Sequence, residues 1–299
     1  MEVGNTSENN SKNSNLISVE ELVEQLFEMP STTTEHSEYK LKSAIDPKLV
    51  VLDATVGGNT AKENFLEKAI PTARFLNVSQ EFKDKSGRFP NTFPTEDVVR
   101  NVLQDIGVDI TDNIVLYTQP GKTVGATRAF VILKSYGFEN VRVLDGGLRK
   151  YTEEGYPTVQ GKEYEGRKTN LSELANPERY TTNIHTIIKF ALGEATNLQL
   201  MDTRPANSFN GEATDNVEGC RQGNVPGSFN IPGKEFLNDD DTFKKGEELK
   251  EIIEKYNIDP NKKIVSMCRT GMMATIPIVS LNNYNIQLYD GSWSEYGSL

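Results

Sequence analysis

Cysteine, histidine and tryptophan are scarce in this chain: two, two and one among 299 residues. Two cysteines, Cys220 and Cys268, are too few for a disulfide framework, which favours a reducing compartment. The histidines, His36 in a polar loop and His185 on an expected helix, have no metal-ligand spacing, so neither a metal nor a cofactor is expected. No apolar run approaches the ~18–20 residues of a membrane span. Residues 1–15, MEVGNTSENNSKNSN, are polar and lack arginine, so they resemble neither a secretion signal nor an Arg-rich transit peptide. They read as a disordered tail, and the cytoplasm is the default location. Basic residues are outweighed as well. A net charge of −11 argues against a nucleic-acid or anionic-membrane surface. What is present is ordinary for a globular protein, 36% hydrophobic and 25% charged, and the length suggests two domains.

Strand-length apolar runs alternate with helical patterns. Leu16–Leu22 reads as a helix entry, with Ser18 as N-cap and Glu21 three residues on. Leu49–Asp53 is a strand, Asn64–Ala69 a helix and Pro71–Val78 extended. Ser31–Lys40 and Phe82–Pro94 are irregular. Thr95 caps a helix to Ile106, with Val98, Val99, Val102, Leu103 and Ile106 on one face. Strands at Ile114–Tyr117 and Val141–Asp145 bracket a helix over Ala126–Tyr136, and a short helix covers Leu148–Glu154. Such alternation predicts parallel sheets in an α/β fold.

After a Gly-containing, charged stretch over 156–182, taken as a linker, the pattern begins again. Asn183–Gly193 is a helix and Leu198–Asp202 a strand ending in Asp, as Leu49–Asp53 does. Val225-Pro226-Gly227 echoes Ile70-Pro71-Thr72, Ile264–Met267 echoes Ile114–Tyr117, and Ile286–Ser292 echoes Val141–Gly147. Asp202 follows Asp53 by 149 residues, Pro226 follows Pro71 by 155, Met267 follows Tyr117 by 150 and Asp290 follows Asp145 by 145. Four landmarks in one order at nearly one offset indicate a tandem duplication. The halves are 16–155 and 183–299.

Chemistry concentrates in Lys263–Thr275, KIVSMCRTGMMAT. Cys268 ends a buried strand and opens a loop of Arg269, Thr270, Gly271, Met272, Met273 and Ala274, with an apolar helical run, Ile276–Leu281, behind it. The carboxyl end of a strand is where open α/β sheets bind ligands. Loop N–H groups, the helix dipole and Arg269 would favour the thiolate. The alternative is a buried cysteine that only packs. The counterpart in the first half falls near Thr118, in Thr118–Lys122, where no thiol stands. Only the second half would carry a site, with the first half walling its cleft. Gly57-Gly58 lacks the pattern of a phosphate loop. Asp53 and Asp202 are expected to hold loops, Trp293 and Tyr296 to pack, and Cys220 to be an ordinary thiol.

Cys-Arg-x-Gly-x-x-Ala after a strand, then Tyr289-Asp290-Gly291-Ser292-Trp293, with Val143–Gly147, Met201–Arg204 and Gly223–Pro232, resembles the two-domain rhodaneses, the thiosulfate and 3-mercaptopyruvate sulfurtransferases. The resemblance implies two similar domains, each a mostly parallel five-stranded sheet flanked by helices. It also implies a Cys268 persulfide that carries a sulfane sulfur from a small-molecule donor to cyanide or a thiol. Arg269 would attract an anionic donor, Thr270 offers a hydroxyl at the loop crown, and Gly271 permits a tight turn.

Several positions depart from the pattern. Thiosulfate-using members resemble Cys-Arg-Lys-Gly here and mercaptopyruvate-using members Cys-Gly-Ser-Gly or Cys-Gly-Thr-Gly; Cys268-Arg269-Thr270-Gly271 is a hybrid. An arginine expected four residues after Arg204 is Ser208, and Arg221 is a candidate substitute beside Arg204 for binding the donor. Losing such an anion clamp costs on the order of a few kcal/mol of binding. An acidic position aligns with Ser79, and the histidine of His-Ile-Pro-Gly is Asn224. Pro277 would shorten the following helix. A phosphatase on the same fold needs Cys-x5-Arg, but the sixth residue after Cys268 is Ala274. A non-catalytic module that keeps the thiol as a sensor or binds a partner is the remaining alternative.

Overall fold

The computed structural model describes residues 14–28, 39–166, 168, 169, 171–213 and 219–299. The expected loop around His36 and the tail up to Asn13 lie outside the described residues. The first half contains, in order, β1 (Leu16–Ile17), α1 (Val19–Leu26), β2 (Phe27–Glu28), β3 (Lys40–Leu41), β4 (Leu49–Asp53), α2 (Asn59–Glu67), β5 (Arg74–Phe75), α3 (Glu96–Asp105), β6 (Asn113–Tyr117), α4 (Val124–Ser135), β7 (Val141–Leu144) and α5 (Gly147–Glu153). The second half contains β8 (Thr181–Thr182), α6 (Ile184–Ala191), β9 (Leu198–Asp202), α7 (Ala206–Phe209), β10 (Phe229–Asn230), α8 (Gly246–Lys255), β11 (Lys263–Met267), α9 (Ile276–Ser280), β12 (Ile286–Tyr289) and α10 (Ser292–Tyr296).

Ten of these twelve strands form two parallel five-stranded sheets, ordered β1-β7-β6-β4-β5 and β8-β12-β11-β9-β10, and β2 and β3 form a two-stranded antiparallel ribbon. Each strand has a counterpart at the same place in the other sheet, so the duplication read from Asp53 and Asp202 holds in space. The central strands are buried from Ile114 to Tyr117 and from Ile264 to Met267. Helices on both faces of a parallel sheet require such continuous apolar runs.

Several local expectations are corrected. Leu16 and Ile17 are not helical; they pair with Val143 and Leu144 as an edge strand, and Ser18 then caps α1 by accepting the Glu21 N–H at 3.1 Å. Asn15, assigned to the tail, donates to the Val279 carbonyl across 3.2 Å. Lys40, expected in a loop, pairs with Glu28 in a two-stranded ribbon. The helix expected over Asn64–Ala69 starts at Asn59 and buries only Ala61 and Phe65, too few for a clear period. The extended segment Pro71–Val78 contracts to β5. The sequence reading missed α7 and α8, and α8 buries only Ile252 among mostly charged residues. Thr181 and Thr182, at the end of the connecting stretch, form the edge strand beside Leu288 and Tyr289.

Helix α4 joins the halves. Ten of its twelve residues are buried, and it is apolar nearly all round, as a helix covered on every side must be. It packs on α9 and on the 3-10 turn Met273–Thr275. The Thr127 and Thr275 hydroxyls meet at 2.7 Å across this contact. Phe130 and Leu116 from the first half share one apolar cluster with Ile264, Ile278 and Leu288 from the second.

Candidate active site

Cys268 follows the last residue of β11, at the carboxyl end of the central strand, and is 3% exposed. Its neighbours staple the loop base to α10. The Cys268 N–H donates to Ser292 Oγ at 3.1 Å, and its carbonyl accepts the Trp293 N–H at 2.9 Å. The Arg269 carbonyl accepts the Ser294 N–H at 2.9 Å and its hydroxyl at 2.8 Å. Ser292 holds a left-handed φ of +51° while fully buried. Its hydroxyl offsets that strain by accepting from Cys268 and donating to the Tyr289 carbonyl at 2.8 Å.

Past this staple the loop's donors are uncommitted. The backbone N–H groups of Thr270, Gly271, Met272, Met273 and Ala274 have no acceptor among the described residues. Donation resumes at Thr275, whose N–H reaches the Met272 carbonyl at 3.1 Å. Five successive unpaired donors follow closely on a buried thiol, and consecutive free N–H groups of this kind are the material of anion-binding loops. The helix dipole contributes less than the sequence suggested, because α9 begins eight residues after Cys268 and spans five, with Pro277 in its first turn.

The first-half loop makes the opposite choice. Thr118 occupies the cysteine position, and its carbonyl accepts the Leu148 N–H at 3.0 Å as Cys268 accepts from Trp293. Gln119 N–H donates to Thr55 Oγ1 at 2.9 Å, Gly121 N–H to Asp241 Oδ2 at 2.8 Å and Lys122 N–H to the Gln119 carbonyl at 3.2 Å. Three of its donors are already consumed inside the protein.

The first half also reaches into the second-half loop through residues the sequence reading did not single out. Asn91 Nδ2 donates to Thr270 Oγ1 at 3.1 Å. Phe93 N–H donates to Asp290 Oδ2 at 2.7 Å. Arg128, on α4 and 1% exposed, donates to Asp290 Oδ1 at 2.7 Å, to the Gly271 carbonyl at 3.1 Å and to the Asn91 carbonyl at 2.7 Å. A lone arginine inside the apolar run of α4 was the available signal.

Arg204 and Arg221 are placed differently from the loop. Arg204 is 2% exposed and chelates the fully buried Asp202 carboxylate, with Nη2 to Oδ2 at 2.7 Å and to the Gly223 carbonyl at 2.8 Å. Its guanidinium lies 4.3 Å from the Trp293 ring centre. It supports the floor under α10. Asp53, the counterpart of Asp202, has Thr55 where Arg204 stands, and burial without a cation pushes its carboxyl upward against two hydrogen bonds from Thr55. Arg221 is exposed and donates to the Tyr296 carbonyl at 3.0 Å at the end of α10. Cys220 is partly buried, with its sulfur 3.9 Å from the Trp293 carbonyl and 3.8 Å from that of Ser294. Ser208 is buried, Ser79 accepts the Gly57 N–H at 3.1 Å and Asn224 donates to the Phe209 carbonyl at 3.1 Å.

Two sheets in tandem, one with a thiol in a donor-lined loop, define a class that comparison with known proteins identifies. The rhodanese-like domain model matches residues 37–154 and 191–299. The chain therefore belongs to the rhodanese family, in two copies of the domain, and it is a sulfurtransferase. It is 28% identical to the 3-mercaptopyruvate sulfurtransferase of Escherichia coli over 262 residues, which are 85% of this chain and 90% of that one. It is also 28% identical to the thiosulfate sulfurtransferase of Gallus gallus over 247 residues, 79% of this chain and 81% of that one. Among solved structures, the Tum1 protein of Saccharomyces cerevisiae superposes with a TM-score of 0.78 at 22% identity over 95% of each chain. SseA of Escherichia coli superposes with a TM-score of 0.76 at 23% identity, over 94% of this chain and all of the other. Among the described residues, no helix is long and apolar enough to cross a membrane.

Proposed function

We propose that the chain transfers a sulfane sulfur from thiosulfate or 3-mercaptopyruvate to cyanide or a thiol through a persulfide on Cys268. The observation that carries this reading is the run of five unpaired N–H groups over Thr270–Ala274, which begins two residues after that thiol. The Cys268 thiolate attacks the transferable sulfur, forming a new S–S bond. The donor's own bond to that sulfur breaks, and its electron pair leaves with sulfite, or with the enolate that protonates to pyruvate. An acceptor nucleophile then takes the terminal sulfur and restores the thiolate. Both the thiolate and the persulfide place negative charge beside the loop, where preorganised donors lower its energy. Arg269 is the cation that meets an anionic donor. Arg204 and Arg221, weighed for the same role, sit against Asp202 and α10. Neither Cys220 nor Cys268 is in a disulfide, which suits the reducing cytoplasm; cell fractionation checks that location.

The test is the initial rate with each donor against cyanide and against dithiothreitol, alongside Cys268→Ser. Turnover by the native protein that disappears in Cys268→Ser is expected, with parallel double-reciprocal plots. A folded native protein inactive with both donors would sink the reading.

A further inference from the structure

We propose that Arg128, from the first half, is the positioning residue that holds the second-half loop open as a donor array; this rests on the sulfurtransfer reading above. A trans peptide points its C=O and N–H in opposite directions. Arg128 draws the Gly271 carbonyl toward α4, so the N–H of the same peptide unit, that of Met272, is turned the other way and stays uncommitted. The same guanidinium holds the Asn91 carbonyl, and Asn91 holds the Thr270 hydroxyl by accepting nothing from it: its amide donates at 3.1 Å. The Thr270 proton is thereby left for a ligand. Asp290 completes the clamp, with one oxygen on Arg128 and the other on the Phe93 N–H. The Gly271 carbonyl, the Asp290 carboxylate behind the loop and the Asn91 carbonyl converge on one buried cation, and Asn91 relays that bracing to the Thr270 hydroxyl.

Pseudo-symmetry shows that this is specific to the catalytic half. The mirror carboxylate, Asp145, accepts the Phe243 N–H at 2.8 Å just as Asp290 accepts from Phe93. Its cation, however, is Lys245, more than half exposed, at 2.5 Å. Where Asn91 meets Thr270, the mirror residue Asp241 instead fills its loop by accepting the Gly121 N–H. The loop that Arg128 braces keeps its Thr270–Ala274 donors unpaired, and the first-half loop, which no buried arginine among the described residues braces, spends its own.

The experiment compares the full-length native protein with Arg128→Lys, Arg128→Met and the double variant Arg128→Met/Asp290→Asn, which leaves no unpaired buried charge if the single Met variant does not fold. Read for each are the donor kcat and KM, the rate of Cys268 alkylation by iodoacetamide across pH 5–9, and Tm. Expected in the folded variants are a kcat at least tenfold lower with KM changed less than threefold, and an alkylation profile moved to higher pH. Arg128→Lys should recover part of the loss. A lower Tm with kcat and alkylation unchanged would reduce Arg128 to a structural bond and overturn the proposal. Absence of Cys268-dependent turnover in the native protein would instead remove the underlying reading.

Discussion

Gly271 occupies φ +74°, and a Cβ there would lie 2.7 Å from the Asp290 carbonyl oxygen and 2.9 Å from its Oδ1. The left-handed backbone alone disfavours any other residue by about 1 kcal/mol, and the overlap adds to it. Gly271→Ala is expected to lower stability by roughly 1–3 kcal/mol and sulfur transfer by about tenfold or more; a urea melt and a donor assay check both. Arg269 and Arg204 are expected to separate by role. Arg269→Ala should raise the donor KM at nearly native stability. Arg204→Ala leaves the Asp202 carboxylate buried without its chelating cation and should cost about 3–5 kcal/mol, visible as a fall in Tm. Equal effects of the two on KM would refute this division. Asp53 has its folded pKa raised by burial, so its favourable contribution is complete below the unfolded value near 4 and is lost as pH rises through the folded one. Asn keeps an acceptor for Thr55, so Asp53→Asn should gain stability over the native protein at pH 7 relative to pH 4. Denaturation at both pH values decides it.

Among the elements, α4 is the most constrained. Gly125, in its first turn, backs directly onto the Ala54 carbonyl oxygen, which a Cβ would overlap. Gly125→Ala should therefore push α4 off β4 and cost roughly 1–3 kcal/mol, and with it the Arg128 contacts; unchanged thermal stability would contradict the packing. The elements that were legible in sequence are those whose period matches their burial, such as α3, with Val99 and Leu103 facing in behind a Thr95 cap. The short edge strands β1 and β8 were not, because two-residue pairing leaves no pattern. Helix α8 carries a helical apolar stripe of Leu249, Ile252 and Ile253, but it is narrow and only Ile252 is buried among six charged residues.

At the scale of the molecule, a core shared across α4 and α9 should make the halves unfold together. Trp293 is the sole tryptophan and lies in the second half, so its fluorescence reports that half, whereas far-UV circular dichroism reports both. The two denaturant transitions should coincide. A fluorescence midpoint displaced from the dichroism midpoint would show that the halves are independent and that the first does not brace the loop.

The sequence by itself determined the duplication, the parallel sheets and the thiol-bearing loop, because these depend on local periodicity and on residues adjacent in the chain. Cys268 through Ala274 need only their own order to be recognised. Tertiary structure alone decided which arginine serves which carboxylate. Arg204 lies two residues from Asp202, and nothing in that spacing reveals that burial commits the pair to each other. Arg128 lies 162 residues from Asp290 and meets it only because α4 packs on the second half. Whether the loop's N–H groups are spent or left unpaired likewise rests on Asp241, Thr55 and Arg128, contributed from elsewhere in the fold. Hydrogen bonds act over about 3 Å of space, without regard to distance along the chain.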